Sequence, residues 1–295
     1  MTEPTNASEA VDELIGILDL ERIEVDRFRG FTPDSRSIRV FGGQVISQAL
    51  VAAYRTVEDR SCHSLHAYFI RPGNPEIPIL YEVDRARDGN SFTTRRVVAI
   101  QNGEQIFNLA ASFHVAEEGF EHQTDMPDIP QPEDLEPDQE MRVRLTKSLP
   151  ENIAKVFRVE PPLEIRSVNP QNIVDPQVLE PLNYSWIRLR KPIEGEPRLH
   201  QAVLAYASDM SLLDTSVRPH GVNFFKGSQM ASLDHAMWFH DDFRADDWLL
   251  YVQKSPKASQ GRGMNFGRIY RRDGLLVATV AQEGLIRPFK KKPKT

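Results

Sequence analysis

The chain has 295 residues, a net charge of −6 at pH 7 and a pI near 5.8. That length allows two ordinary domains or one bilobal unit, and the charge lacks the basic footprint of a nucleic-acid binder. A single cysteine, Cys62, excludes an intrachain disulfide and a multi-cysteine metal site and fits a reducing compartment.

No apolar run approaches the roughly 18 to 20 residues that span a bilayer. The start MTEPTNASEA is unlike a secretory signal and the end PKT is unlike a Ser-Lys-Leu address, so a cytoplasmic protein is expected.

In chain order, residues 1–10 are expected to lack regular structure. Val11, Leu14, Ile15 and Leu18 fall at helical spacing and predict a helix over 11–20, with Ser8 as its cap. Short strands are expected near 23–28 and 37–40. Phe41-Gly42-Gly43-Gln44 then precedes a second stripe, Val45, Ile46, Ala49, Leu50 and Ala53, which predicts a helix over 45–54. A Gly-Gly pair ahead of a helix either lets a ligand or another chain approach the amides at its positive end or serves only a tight, closely packed turn. Strands follow at about 62–70, 79–87, 91–101 and 105–115. The stretch 117–181 is rich in Pro and acidic residues (PDIPQPEDLEPDQE), holds one short helix near 151–157 and reads as a linker. After a strand near 183–191, Leu199, Val203, Leu204, Ala207, Met210 and Leu213 predict a helix over 199–213. Met230 to Arg287 is a run of strands joined by short turns. The terminal Lys290, Lys291, Lys292 and Lys294 read as a solvated tail.

This final run repeats an earlier one. His66-Ala67, Leu80-Tyr81 and Asn102-Gly103 recur as His235-Ala236, Leu250-Tyr251 and Asp273-Gly274, displaced by 169, 170 and 171 positions. Single insertions in turns produce such a drift, and Asn-Gly and Asp-Gly between apolar runs signal hairpins. Each half therefore reads as a helix followed by antiparallel hairpins. The expected class is α+β, a tandem hotdog in which a long helix is wrapped by a curved antiparallel sheet. The halves are placed at 11–116 and 182–288, joined by the linker 117–181 and followed by a tail at 289–295.

Several sites of known chemistry are missing. There is no G-x-S-x-G, H-E-x-x-H or P-loop, and Gly261, Gly263 and Gly267 lie in or beside a strand, where no dinucleotide loop belongs. Ser232, Asp234 and His235 suggest a triad, but strand alternation points Ser232 and Asp234 to one face and His235 to the other. Across the repeat, Ser232 matches His63 and Gln282 matches Ala111. Gln282 is also the polar exception in the row Leu276, Ala278, Val280, Gln282, and Asp209 is a carboxylate within AYASDMSLL. These residues are either a satisfied strand amide and a helix-terminal acid, or parts of one site.

The segments FGGQ (41–44), AYASDMSLL (205–213), SLDHAMWFH (232–240), DDWLLYV (246–252) and VAQEGLIR (280–287) resemble the acyl-CoA thioesterase II family of double-hotdog hydrolases. The resemblance runs from about residue 12 to 287. It implies hydrolysis of acyl-CoA to free fatty acid and coenzyme A, with no cofactor and no metal. It also implies a water-activating trio of Asp209, Ser232, where some members carry Thr, and Gln282. Amides at a helix start are natural oxyanion donors, which makes Gly42, Gly43 and Gln44 candidates. Arg262, Arg268, Arg271 and Arg287 are candidates for the coenzyme's phosphates. Exposed sheet edges favour association, so a homodimer or a homotetramer is expected. The competing expectations are a hotdog enoyl-CoA hydratase, which needs a functional Asp/His pair, and a non-catalytic acyl-CoA sensor.

Overall fold

The computed structural model describes residues 6–33, 38–147 and 149–289, so the basic tail from Lys290 lies outside the described residues. Helix α1 (Ala7–Leu18) begins before its apolar stripe because the Asn6 side chain accepts the Glu9 N–H. Asn6, not Ser8, is therefore the cap, and the expected absence of structure through residue 10 gives way to a helix from Ala7. Strands β1 (Glu21–Glu24) and β2 (Arg27–Gly30) form a hairpin turned at Asp26. Of the strand expected at 37–40, the described residues 38–40 form none; Val40 instead donates its N–H to the Gly73 carbonyl.

Helix α2 (Gly42–Tyr54) starts at the glycine pair, and every residue but Gly42 and Val51 is buried. A helix buried on nearly all sides must be enclosed, and four strands of the first half enclose it. These are β3 (Ser61–Phe69), β4 (Ile79–Asp88), β5 (Phe92–Gln101) and β6 (Glu104–His114), each within a residue of its expected bounds. The β5–β6 turn is the expected Asn102-Gly103, with φ of 51° and 77°, the left-handed pair that a two-residue hairpin requires.

The stretch expected to be a linker with one short helix near 151–157 contains a helix α3 (Asp138–Thr146) as well as that helix, α4 (Glu151–Ala154), and a strand, β7 (Leu163–Ser167). Strand β7 pairs with β8 (Leu182–Leu189) and extends the sheet. Asp138 ties α3 to this edge by accepting the Ser167 N–H and hydroxyl, both at 2.8 Å. The Pro-rich part covers the outer face of the second half, where Met126, Ile129 and Leu135 pack on Trp186, Leu250, Val252 and Tyr270.

Helix α5 (Pro197–Ser208) stops five residues short of expectation; Asp209 is its cap, and Leu213 enters a 3₁₀ turn, Leu213–Ser216. Strands β9 (Ser228–Ser232), β10 (Asp234–Phe239), β11 (Leu249–Ser259), β12 (Arg262–Arg271) and β13 (Leu276–Pro288) complete the chain. An irregular register between Ile269 and Tyr270 turns Leu276 out of the row it was expected to share with Gln282, and it packs on the outer cluster.

The strands form one sheet in the order β1-β2-β4-β5-β6-β3-β10-β13-β12-β11-β8-β7, with β9 added on β13. All pairs are antiparallel, and the order reads as two matching halves meeting at the β3/β10 seam. At that seam His235 faces Ala67 and Ala236 faces His66, so the landmark dipeptides of the repeat pair with each other. One core spans both halves. Inside it α2 and α5 run antiparallel: Tyr54, ending α2, bonds Gln201 near the start of α5, while Gly43, starting α2, lies against Tyr206 near the end of α5.

Candidate active site

The antiparallel helix pair brings the C-terminal end of α5, with its cap Asp209, against the first turn of α2. The contact is closer than any side chain permits. A Cβ on Gly42 would lie 2.6 Å from Asp209 Oδ2, and one on Gly43 would lie 2.4 Å from the Tyr206 carbonyl oxygen. The glycine pair thus serves close packing, and what packs there carries a carboxylate.

Asp209 collects its partners from three other elements. Ser232 Oγ donates to Oδ1 at 3.0 Å, Gln282 Nε2 donates to the same oxygen at 2.6 Å and lies 2.8 Å from Ser232 Oγ, and the Gly43 N–H also bonds the carboxylate. Because a carboxylate only accepts, the Gln282 amide must turn its nitrogen to Asp209. Its Oε1 is then a buried acceptor with no protein partner. Burial raises the Asp209 pKa to about 6, opposed by the bonds from Gln282, Ser232 and Gly43. Asp214 raises it further, and a helix C-terminus is an unfavourable place for an anion.

The sheet positions Ser232 through an irregularity. Ser232 pairs with Gly284 on β13, but Ala236 pairs with Ala281, so the register slips by one residue around Leu233. A bulge resets strand alternation. Ser232 and His235, expected on opposite faces, both turn inward to the end of α5, where His235 Nε2 lies 2.9 Å from Ser208 Oγ. No triad forms, because Asp234 accepts the Glu283 N–H at 2.7 Å. Register was the part of this site that alternation alone could not supply.

Of the three glycines resembling a dinucleotide loop, Gly261 takes the left-handed conformation of the β11–β12 turn, with φ of 72°, while Gly263 and Gly267, like Gly284 on β13, are packing devices. A Cβ on Gly263 would meet Ser216 at 2.3 Å, one on Gly284 would meet Leu213 at 2.3 Å, and one on Gly267 would meet the Tyr251 ring at 2.4 Å. The first two seat the 3₁₀ turn on β12 and β13; the third makes room for a tyrosine.

The remaining sequence candidates separate. The Gln44 side chain turns to the Phe31 carbonyl, Thr32 and Gln48, leaving only its backbone near the site. The four arginines do not converge: Arg262 and Arg271 end β12, nine residues apart, about 30 Å at the strand rise. Arg262 pairs with Glu283, and Arg268 reaches Thr124 and the Tyr270 ring. Arg271 is held by Asp273 and lines a separate cavity of about 660 Å³ with Pro197, His200 and Trp248, at the other end of α5. Arg287 lies near Arg262, its side chain 3.5 Å from where a Cβ on Gly261 would be. Among the described residues no helix is long and apolar enough to cross a membrane.

Family models for acyl-CoA thioesterase and for the acyl-CoA thioesterase N-terminal domain match residues 153–285 and 32–114. Mouse acyl-coenzyme A thioesterase 8 is 46% identical over 283 residues, covering 92% of this chain and 88% of that protein. The crystal structure of an acyl-CoA thioesterase II, TesB2, from Mycobacterium marinum aligns with a TM-score of 0.77 at 42% identity, over 95% of this chain and 98% of that one. A hot dog fold protein from Alicyclobacillus acidocaldarius aligns with a TM-score of 0.72 at 20% identity, over 95% and 98% of the two chains, and the expected tandem hotdog stands. On the strength of these matches, which run through both halves and the elements that carry Asp209, Ser232 and Gln282, the chain belongs to the acyl-CoA thioesterase family.

Proposed function

We propose that this protein hydrolyses acyl-CoA to a free fatty acid and coenzyme A, with Asp209 as general base. The carrying observation is the buried Asp209–Ser232–Gln282 cluster with a free acceptor at Gln282 Oε1. A water between the carboxylate and that acceptor donates one hydrogen to each and turns a lone pair to the thioester carbonyl. Asp209 takes a proton as the C–O bond forms. The oxyanion meets the first turn of α2, where the amides of Gly42 and Gln44 have no intrahelical acceptor. Collapse of the tetrahedral intermediate breaks the C–S bond, and the proton on Asp209 neutralises the thiolate. A thiol with a pKa near 8.5 leaves with little assistance.

Arg262 and Arg287, at the β9 end of the sheet, are the better placed of the four arginines for the coenzyme's phosphates. A hydratase reading is disfavoured because Asp234 and His235 are each committed elsewhere. We assign the two hotdog halves to 11–116 and 182–288. The exposed Tyr68 and Phe266 on the outer sheet face support assembly into a homodimer or homotetramer, and the lone reduced Cys62 supports a cytoplasmic location.

The test is thiol release from saturated acyl-CoA substrates of increasing length, for wild type beside Asp209→Ala, Ser232→Ala and Gln282→Ala. Folded variants should lose about 10²-fold or more. A wild type that binds acyl-CoA yet releases no thiol would leave the sensor reading in its place.

A further inference from the structure

We infer that His235, acting through Ser208 and together with Tyr251, is a positioning residue that fixes the end of α5 so that the Asp209 carboxylate faces Ser232 and Gln282. This rests on the thioesterase reading above and adds to it three buried residues that act through the backbone at the end of α5.

His235 is fully buried on β10. An apolar side chain would fill that space without burying a polar ring, so its hydrogen bonds need an account. Its Nε2 lies 2.9 Å from Ser208 Oγ. The Ser208 hydroxyl already donates to the Ala205 carbonyl at 2.9 Å, so toward His235 it accepts. The ring proton therefore sits on Nε2, and Nδ1 is an acceptor with no protein partner. Burial lowers the His235 pKa to about 3, which keeps the ring a neutral donor.

Ser208 is the last residue of α5, and Asp209 follows as its cap. The carbonyls of a last helical turn lack intrahelical donors. The Ser208 carbonyl receives the Tyr251 hydroxyl at 2.9 Å, and the Tyr251 ring sits where a Cβ on Gly267 would be. Gln253 donates to Ser211 Oγ at 2.7 Å on the far side of Asp209. The residues flanking the carboxylate are thus held by side chains from β10 and β11. The other titratable groups facing Asp209 are Tyr206 on α5, Tyr251 and Asp214 of the 3₁₀ turn.

Loosening this clamp should lengthen the bonds from Ser232 and Gln282 that hold the Asp209 pKa down. The test compares His235→Leu, His235→Gln, Ser208→Ala and Tyr251→Phe with wild type and Asp209→Asn. His235→Leu and Ser208→Ala should lose about 10- to 100-fold in kcat with KM nearly unchanged, as a displacement approaching 1 Å costs about 10²-fold. His235→Gln, whose Nε2 can donate to Ser208, should recover most of it. The Asp209 carboxyl, followed by ¹³C NMR, should titrate above wild type in the impaired variants, a readout that needs no turnover. If His235→Leu does not fold, Ser208→Ala decides, since it deletes the same bond with one atom. Wild-type kcat and an unmoved titration in Ser208→Ala or folded His235→Leu would overturn the inference, as would equal impairment of the Leu and Gln variants. An Asp209→Asn enzyme of full activity would instead overturn the general-base reading; its loss alone, beside unaffected Ser208→Ala, would sink only the role of His235.

Discussion

Asp209→Asn should make the protein less active and, as pH rises, progressively more stable than wild type. Burial raises the carboxyl from the usual 3.8 to about 6. At 1.36 kcal/mol per pH unit this corresponds to about 3 kcal/mol. Below pH 3.8 the carboxyl is protonated in both folded and unfolded chains and contributes no pH dependence. Between 3.8 and 6 the unfolded chain releases the proton while the folded one keeps it, so wild-type stability falls as pH rises. Above 6 the full cost of the buried anion is carried. Asparagine never ionises. Its stability relative to wild type should therefore grow by about 3 kcal/mol across the range, roughly half of it between pH 5 and 7.5. The constant offset is separate, because the amide nitrogen of Asn must face either the Gly43 N–H or the Ser232 and Gln282 donors. Paired urea unfolding curves at fixed pH values measure the growth directly, and thiol release should fall by about 10²-fold or more. Stability curves that stay parallel from pH 4 to 8 would refute the argument, since they would mean that the fold does not perturb this carboxyl.

Two further outcomes follow from the same geometry. The acid limb of kcat/KM should rise with unit slope and level off above about pH 6, where Asp209 becomes a base; a stopped assay over pH 4.5 to 8 checks it, and a limb near pH 4 would point to a normal, solvated carboxylate. Gly42→Ala, whose methyl would lie 2.6 Å from Asp209 Oδ2, should cost at least about 10-fold in kcat with a stability loss of roughly 1–3 kcal/mol, read by steady-state kinetics beside thermal unfolding.

Much of the fold is legible in the sequence because its strands are long, alternate cleanly and end at Gly-containing turns. Asn102-Gly103 needs two left-handed residues and supplies them, so β5 and β6 are found to within a residue at each end. Other features are set by contacts no local pattern encodes. Strand β7 hides in a Pro-rich, acidic context and exists because β8 offers it an edge. The end of α5 is fixed by tertiary clamps, while Met210 and Leu213 continue the apolar stripe beyond it. In the site, Asp209, Ser232 and Gln282 stand out as polar residues in apolar rows, but the slip at Leu233 is a matter of register with β13. Without it His235 reads as facing away from the site to which it is bonded. The four arginines are not one group for the opposite reason: their charge is visible in the sequence, but the length of β12, which holds Arg262 and Arg271 at its opposite ends, is not.

The duplication also explains why the proposed site sits at one end of the helix pair. A symmetric arrangement would place a second site where α2 ends and α5 begins. There the cap of α2 is Arg55, paired with Asp19, where α5 has Asp209. The positions matching Ser232 and Gln282 are His63 and Ala111, and α5 opens with Pro197, which lacks an N–H, where α2 opens with two glycines. Tyr54, Gln201 and the Cys62 backbone fill that end with neutral hydrogen bonds. At the end proposed as the site each half supplies what the other lacks: the second gives the carboxylate, hydroxyl and amide, and the first gives the glycine amides that approach them. Neither repeat holds a complete site alone, so the fused pair is the smallest unit in which this cluster can form.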